Sequence, residues 1–285
     1  MRSIGDVLKE LAHSIPKGTG AGAPPPPREP EDTCPICKGA GYLRLDVPIT
    51  DPNFGRLVPC ECRLREQEDR RHEELLRISN LAAFEDKSFE NFDPGINRDV
   101  SNALQIALEF AADPYRYGKP WLFLMGRVGT GKTHLAAAIA NHYIKHQGGR
   151  TLFTVVPDLL DHLRATFNPA NTAGVTYDQR FQDVRDVPLL ILDDLGTENA
   201  TPWAKEKLFQ VFNHRYNERL ATVVTTNQDF TQIDERIVSR LLDHGLCQDV
   251  VIDAPDYRRR NRETGQTLPV PMPPRRTPNR PLRPH

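Results

Sequence analysis

Two groups of residues in this chain have the types and spacing to do chemistry. The first is GRVGTGKT, Gly126 to Thr133, which fits G-x-x-x-x-G-K-[ST]. Gly126, Gly129 and Gly131 let the backbone curl until its N–H groups surround a phosphate chain. Lys132 then reaches the β- and γ-phosphates of a nucleoside triphosphate, and the Thr133 hydroxyl offers a ligand to Mg²⁺. LLILDD, Leu189 to Asp194, is an apolar run that ends in two carboxylates. Adjacent like charges at the end of a buried strand need a cation or a proton beside them. Asp193 is therefore placed to hold Mg²⁺, and Asp194 to orient or deprotonate a water. ATVVTTN offers Thr226 and Asn227 to the γ-phosphate or the water, although Thr and Asn also commonly end strands and open turns. In DERIVSRLLDHGL, Arg236 and Arg240 share one helical face. Such an arginine either reaches a neighbour's γ-phosphate and speeds its hydrolysis, or makes a surface salt bridge.

The second group is Cys34 and Cys37 in CPIC with Cys60 and Cys62 in CEC. Between the pairs, YLRLDV and RLVP read as a hairpin with DPNFG at its loop. Four thiolates suit a tetrahedral Zn²⁺, whose binding energy folds a segment too small for a core of its own. An iron–sulfur cluster takes the same ligand count. Cys247 stands apart from these four and reads as a buried small residue.

These groups need a scaffold. Apolar or β-rich runs recur at 121–125, 151–156, 188–193, 221–226 and 249–253. Helical patterns separate most of them, such as KTHLAAAIANHYIKHQ closed by Gly148 and Gly149, and a second opened by Thr201 and Pro202. The alternation predicts an α/β fold, with a five-stranded, mainly parallel sheet covered on both faces. Of 25 prolines, five lie in PPPPREP and seven follow Arg258, so both segments read as extended spacers. Ahead of the first spacer, Ile4, Val7, Leu8 and Leu11 form one stripe on a short helix ended by Pro16. That stripe docks either on a partner protein or back onto the chain's own main domain. RLREQEDRRHEELLRISN, Arg63 to Asn80, mixes charges of both signs and predicts a solvated connecting helix.

The chain of 285 residues thus divides into a docking helix (1–17), a linker (18–33), a zinc-ribbon-like module (34–62), a connecting helix (63–83), a nucleotide-binding domain (84–257) and a disordered tail (258–285). A net charge of -1 argues against uniform coating of nucleic acid. No apolar run is long enough to span a bilayer, and charges interrupt the amino-terminal stretch, so a soluble cytoplasmic protein is expected, one in which disulfides are not.

Together, SFENF, GTGKTHLAAAIAN, LLILDDLG, VVTTN, ERIVSRLLD and DYRRR resemble the AAA+ ATPases, and within them the DnaC/DnaI-type replicative helicase loaders and the IstB-type transposition ATPases. The resemblance runs from Phe84 to Arg260. It implies ATP as the nucleotide, held by Gly126, Gly129, Thr130, Gly131, Lys132, Thr133 and His134. It makes Asn227 the sensor-1 residue and Arg258 the sensor-2 arginine. Arg240 becomes the arginine finger across a subunit boundary, which entails self-association. The segment from Asp158 to Val187 becomes the element that touches single-stranded DNA, with Arg164, Arg180 and Arg185 as phosphate contacts or, equally, as a solvated face. The cysteine module is similar to the amino-terminal domain of DnaI-type loaders, and MRSIGDVLKEL to the helix with which DnaC-type loaders grip the helicase.

Two features depart from the wider AAA+ pattern. Asp194 stands where most members carry Glu, which implies slow hydrolysis. No helical lid follows the last strand. The chain ends instead in a segment with eight arginines and one acid from Arg258 onward. The expectation is an ATP-dependent loader that delivers a hexameric replicative DNA helicase onto single-stranded DNA, with turnover that depends on partner or DNA. An IstB-type ATPase assisting a transposase, and a nucleotide-gated adaptor with little turnover, are the alternatives.

Overall fold

Strand alternation sets the layers of the main unit. In β3 (Trp121–Gly126), Trp121 and Phe123 face one side of the sheet, and Leu122 and Leu124 the other. Both sets are fully buried, which is why the run lacks an apolar–polar alternation. β3 pairs in parallel with β6 (Ala221–Thr226) and β7 (Cys247–Ile252), and β5 (Leu189–Asp193) pairs in parallel with β6 and with β4 (Thr151–Val155). The sheet order is β4-β5-β6-β3-β7. The expected strands are all present, with every pair parallel. β7 begins earlier than its run implied, and Val156 belongs to the next helix. Cys247 is buried on β7, in keeping with its reading as a buried small residue apart from the other cysteines.

This architecture comes from a computed structural model, which describes residues 33–166, 177–198 and 201–259. The expected docking helix (1–17), nearly all of the linker and the tail beyond Arg259 lie outside the described residues. Contacts divide the chain between Glu68 and Asp69 into two units.

In the larger unit, α2 (Arg98–Ala112) and α3 (Lys132–Gln147) cover one face with Val100, Ala103, Leu135 and Ile139. The other face carries α4 (Val156–Ala165), α5 (Tyr177–Asp186), α6 (Pro202–Asn217) and α7 (Glu235–Leu241). Their Leu159, Leu163, Leu208, Phe212 and Ile237 pack against Phe123, Leu190 and Val224. Local signals fix the helix ends. Asn97 accepts from the Val100 N–H at the start of α2, and Thr201 accepts from the Ala204 N–H at the start of α6, with Pro202 in its first turn. Gly148, at φ 60°, closes α3. After β7 the described residues hold only a short 3₁₀ turn, Tyr257–Arg259. None of the described helices is long and apolar enough to cross a membrane.

In the smaller unit, β1 (Tyr42–Arg44) and β2 (Leu57–Pro59) form the expected antiparallel hairpin between the cysteine pairs. α1 (Glu61–Arg77) starts in this unit and ends in the larger one. Its last turn corrects the reading of a solvated helix. Leu75 is buried there, with Ile78 just beyond it, both in the cluster around Leu163 and Val184. Glu74 pairs with Arg180, and Arg71 lies 3.6 Å from Asp183. Charges dominate the helix by number, yet two aliphatic side chains decide where its end is held.

Candidate nucleotide-binding site

The loop from Gly126 to Gly131 carries the chain from the end of β3 into the first turn of α3. Gly129 and Gly131 sit at φ 80° and 97°, where an L side chain is strained. A Cβ on Gly129 would also overlap the Asp256 carboxylate, and one on Gly131 would come within 2.8 Å of the Phe92 ring. Here glycine is demanded by close approach as well as by conformation. The loop wraps the Lys132 side chain, whose Nζ donates to Gly126 O at 2.8 Å and Arg127 O at 2.7 Å. Burial holds the Lys132 ammonium below the usual lysine range, against the pull of Asp194 and Asp193. Thr130 is buried and donates its hydroxyl to Arg127 O at 3.0 Å.

Asp193, the last residue of β5, accepts from the Thr133 hydroxyl on Oδ2 at 3.0 Å and from the Thr225 hydroxyl on Oδ1 at 2.6 Å. Burial raises its pKa, with Asp194 adding to the rise and the two hydroxyls opposing it. Asp194 itself adopts φ 57°, and its N–H donates to Thr225 Oγ1 at 3.0 Å. Thr225 therefore ties both acids to the neighbouring strand. The sequence gives no sign of this role, because a threonine inside a buried strand carries no motif of its own.

A cleft of about 350 Å³ opens on these residues, a size that suits a small ligand. Gly129 to His134, Asp194, Asn227 and Arg258 line it. The Asn227 Oδ1 is buried without a hydrogen-bond partner, an acceptor left for something in the cleft. Thr226 is a correction. Its buried hydroxyl donates to Leu195 O at 2.7 Å and lies outside the cleft lining, so it is committed to the fold. Gly126 also lies outside the lining and contributes its carbonyl to Lys132. His134 lines the cleft, but its Nε2 lies 2.8 Å from Ser88 O and its ring meets Phe92 edge-on at 5.2 Å. Burial lowers the His134 pKa.

The remaining lining carries no sequence signal strong enough to assign. Phe84, Lys87, Asn91, Phe92 and Ile96 form one wall, and Tyr257 contributes beside Arg258. Asn141 on α3 fastens that wall by donating to Phe84 O and Lys87 O at 3.0 and 2.8 Å. The Tyr257 N–H donates to Gly129 O at 2.9 Å, which lays the segment after β7 on the phosphate loop. Asn91 and Phe92 of SFENF, and Tyr257 and Arg258 of DYRRR, motifs that in the sequence contribute only to a resemblance, thus line the cleft.

The other cations sit elsewhere. Arg240 is on α7, outside the cleft lining, where it donates to Asn213 Oδ1 at 2.6 Å and Arg236 O at 2.7 Å. Arg236 takes the salt-bridge role, with Asp234 at 3.0 Å and Glu206 at 3.5 Å. Arg180 is engaged by Glu74, so its charge is used within the fold. Arg185 lies over Phe181 at 5.4 Å and Arg164 over Trp203 at 5.0 Å, while 167–176 of the expected DNA element lie outside the described residues.

In the smaller unit, the sulfurs of Cys34, Cys37, Cys60 and Cys62 all lie within 4.8 Å of one another. Cys34 and Cys60 are 3.8 Å apart, and Cys37 and Cys62 3.4 Å. Zinc–sulfur bonds of about 2.3 Å in a tetrahedron require sulfur separations of about 3.8 Å, so the set fits one ion. A cluster that spreads its thiolates over several irons needs them further apart. The Gly41 N–H donates to Cys37 Sγ at 3.3 Å and pulls that thiol down to about 6, while sharing a proton with Cys37 pushes Cys62 up to about 12.

Comparison with known proteins agrees with this geometry. The chain is 28% identical over 190 residues to the replicative helicase loader DnaC of Buchnera aphidicola from Schizaphis graminum, which covers 66% of this chain and 75% of the relative. It is 27% identical over 179 residues to the replicative helicase loader DnaC of Escherichia coli K12, covering 61% and 69%. A crystal structure of the DnaC helicase loader superposes with a TM-score of 0.52 at 24% identity, covering 60% of this chain and 98% of that one, which supports the fold. Residues 54–265 match the family described as IstB-like ATP binding protein, and with most of its length inside that match the chain belongs to that family.

Proposed function

We propose that this protein uses ATP to deliver a hexameric replicative DNA helicase onto single-stranded DNA in the cytoplasm. The observation that carries the reading is the cleft where Lys132, Asp194, Asn227 and Arg258 converge on one phosphate loop. The name shared by its relatives favours a helicase over a transposase as the partner.

In this reading Lys132 exchanges its two carbonyl partners for phosphate oxygens, and the loop N–H groups bind the rest of the chain. Mg²⁺, when bound, neutralises charge on the β- and γ-phosphates. Thr133 and Asp193 hold it, with Thr225 fixing the Asp193 carboxylate. Asp194 orients the attacking water and takes its proton, and Asn227 Oδ1 accepts from that water. The short arm of Asp194 makes turnover slow. Arg258 meets the phosphates from the same chain, and Arg240 meets those of a neighbouring copy. Phe84, Phe92 and Ile96 take the base. In the smaller unit Cys34, Cys37, Cys60 and Cys62 hold Zn²⁺, and this unit with residues 1–17 grips the helicase.

Two experiments test this. Lys132→Ala is expected to abolish ATP binding in a fluorescent-nucleotide titration, and an unchanged affinity removes the site assignment. Full-length protein and a version lacking residues 1–62 are used with ATP to capture partners from source-cell lysate. Recovery of a hexameric helicase by the full chain alone supports the reading. Recovery of a transposase by both replaces it.

A further inference from the structure

We infer that Asn213 on α6 is a positioning residue that holds Arg240 ready for the nucleotide of a neighbouring copy. The inference rests on Arg240 acting across a subunit boundary. It adds how this chain presents that arginine, and it gives α6, the helix that follows the Asp193–Asp194 turn, a second task.

The two arginines of α7 differ in how their charge is used. The Arg236 guanidinium makes a forked contact with Asp234, its Nε and Nη2 each 3.0 Å from a carboxylate oxygen, with Glu206 also in reach. Its charge is neutralised in place. Arg240 belongs to none of the described ion pairs. Its Nη2 donates to the neutral Asn213 Oδ1 at 2.6 Å and its Nη1 to the Arg236 carbonyl at 2.7 Å. Its guanidinium carbon lies 5.4 Å from the Tyr216 ring centre and 4.8 Å from that of Phe209, a ring it shares with Arg236 at 3.9 Å. Tyr216 is fixed in turn by donating to Asp243 Oδ2 at 2.5 Å.

Neutral acceptors and aromatic faces orient a guanidinium without cancelling its charge. A structural salt bridge does the reverse. The fork is also incompletely used, since the Arg240 Nε is buried with no hydrogen-bond partner. Holding a half-buried, unneutralised arginine in one geometry lowers the entropy lost when an anion arrives. The same contacts make the arrangement sensitive to α6, on which Phe209, Asn213 and Tyr216 all lie.

The test uses full-length proteins with single-stranded DNA. Asn213→Ala is expected to lower kcat about 10- to 100-fold, as for a catalytic group displaced by a fraction of its reach. KM for ATP, nucleotide affinity and the melting temperature should stay unchanged. Asn213→Asp separates positioning from support, because a carboxylate there pairs with Arg240. It is expected to keep or raise the melting temperature and still lower kcat. If N213D retains full kcat, the inference fails.

Mixing isolates the subunit boundary. R240A, with an intact nucleotide site, is combined with K132A, which keeps the arginine. Hydrolysis should return, and should fail to return when the second partner is K132A carrying N213A. If that double variant restores hydrolysis as well as K132A does, Asn213 has no positioning role while the arginine reading stands. If K132A itself restores nothing, or R240A alone is fully active, the arginine reading falls and this inference with it. Loss of fold or of nucleotide binding in N213A also counts against it.

Discussion

The two units of this chain are held together by different physics. The larger one buries whole strands on both faces, with Trp121, Phe123, Phe153 and Leu192 fully removed from water. In residues 33–68 the only buried apolar side chains are Cys37 and Cys60, while Ile36, Ile49, Leu57 and Leu64 are exposed. Hydrophobic burial can account for the first unit and not for the second. A segment of that size keeps a hairpin only if something else supplies the energy, and the four close sulfurs are where it would come from.

The largest expected effect follows directly. Stripping metal with a chelator, or replacing Cys60 with serine, should unfold the hairpin, because structural zinc supplies on the order of 10 kcal/mol or more to such modules. Amide hydrogen exchange reads it residue by residue. β1 and β2 should lose protection while β3 and β5 keep theirs. If β1 and β2 stay protected without metal, the contrast between the units is wrong.

The next prediction probes the larger unit where its core is polar. Arg215 is fully buried at the end of α6 and donates to Thr222 Oγ1, Arg185 O, Val187 O and Ala221 O, joining α5, the link from α5 to β5, α6 and β6. Arg215→Met fills most of the volume but removes this donor from three carbonyls, two of them in buried contacts, at about 1 kcal/mol or more each. A loss of about 3 kcal/mol in urea denaturation is expected, with the hairpin unaffected. A loss below about 1 kcal/mol would mean water replaces the donors and the core is looser than its burial implies.

The same contrast explains which features are legible in the sequence. The strands are legible because burial on both faces leaves uninterrupted apolar runs, and the phosphate loop because Gly129 and Gly131 meet a demand no other residue satisfies. The cysteine pairs are legible because ligand spacing is short-range. The seat of α1 is not, since Leu75 and Ile78 are outnumbered by charges, of which Arg71 and Glu74 find their partners on α5 only in the fold. Nor is the wall formed by Phe84, Phe92 and Ile96, ordinary core-type residues that the fold brings to the cleft, Phe84 fastened there by the side chain of Asn141. Thr226 misleads for a related reason. In a strand buried throughout, a hydroxyl is as readily used to satisfy a backbone carbonyl as to meet a ligand.

The smallest expected effect lies at the polar end of that buried sheet and depends on pH. Burial raises the pKa of Asp193, so the folded protein binds this proton more tightly than the unfolded chain does. Without a cation, stability therefore declines as pH rises through the window between the unfolded and the raised folded value. If Asp193 holds Mg²⁺ as proposed, the bound ion should offset that decline by stabilising the carboxylate. The gain in nucleotide affinity that Mg²⁺ confers should accordingly be full above the raised pKa and shrink as pH falls through it, by up to about tenfold per pH unit. Asp193→Asn supplies the reference, since protonation of the nucleotide itself affects both proteins alike. The extra pH dependence of the unaltered protein over this variant is the contribution of Asp193. If the two proteins show the same dependence, Asp193 is ionised throughout and the two hydroxyls from Thr133 and Thr225 outweigh its burial.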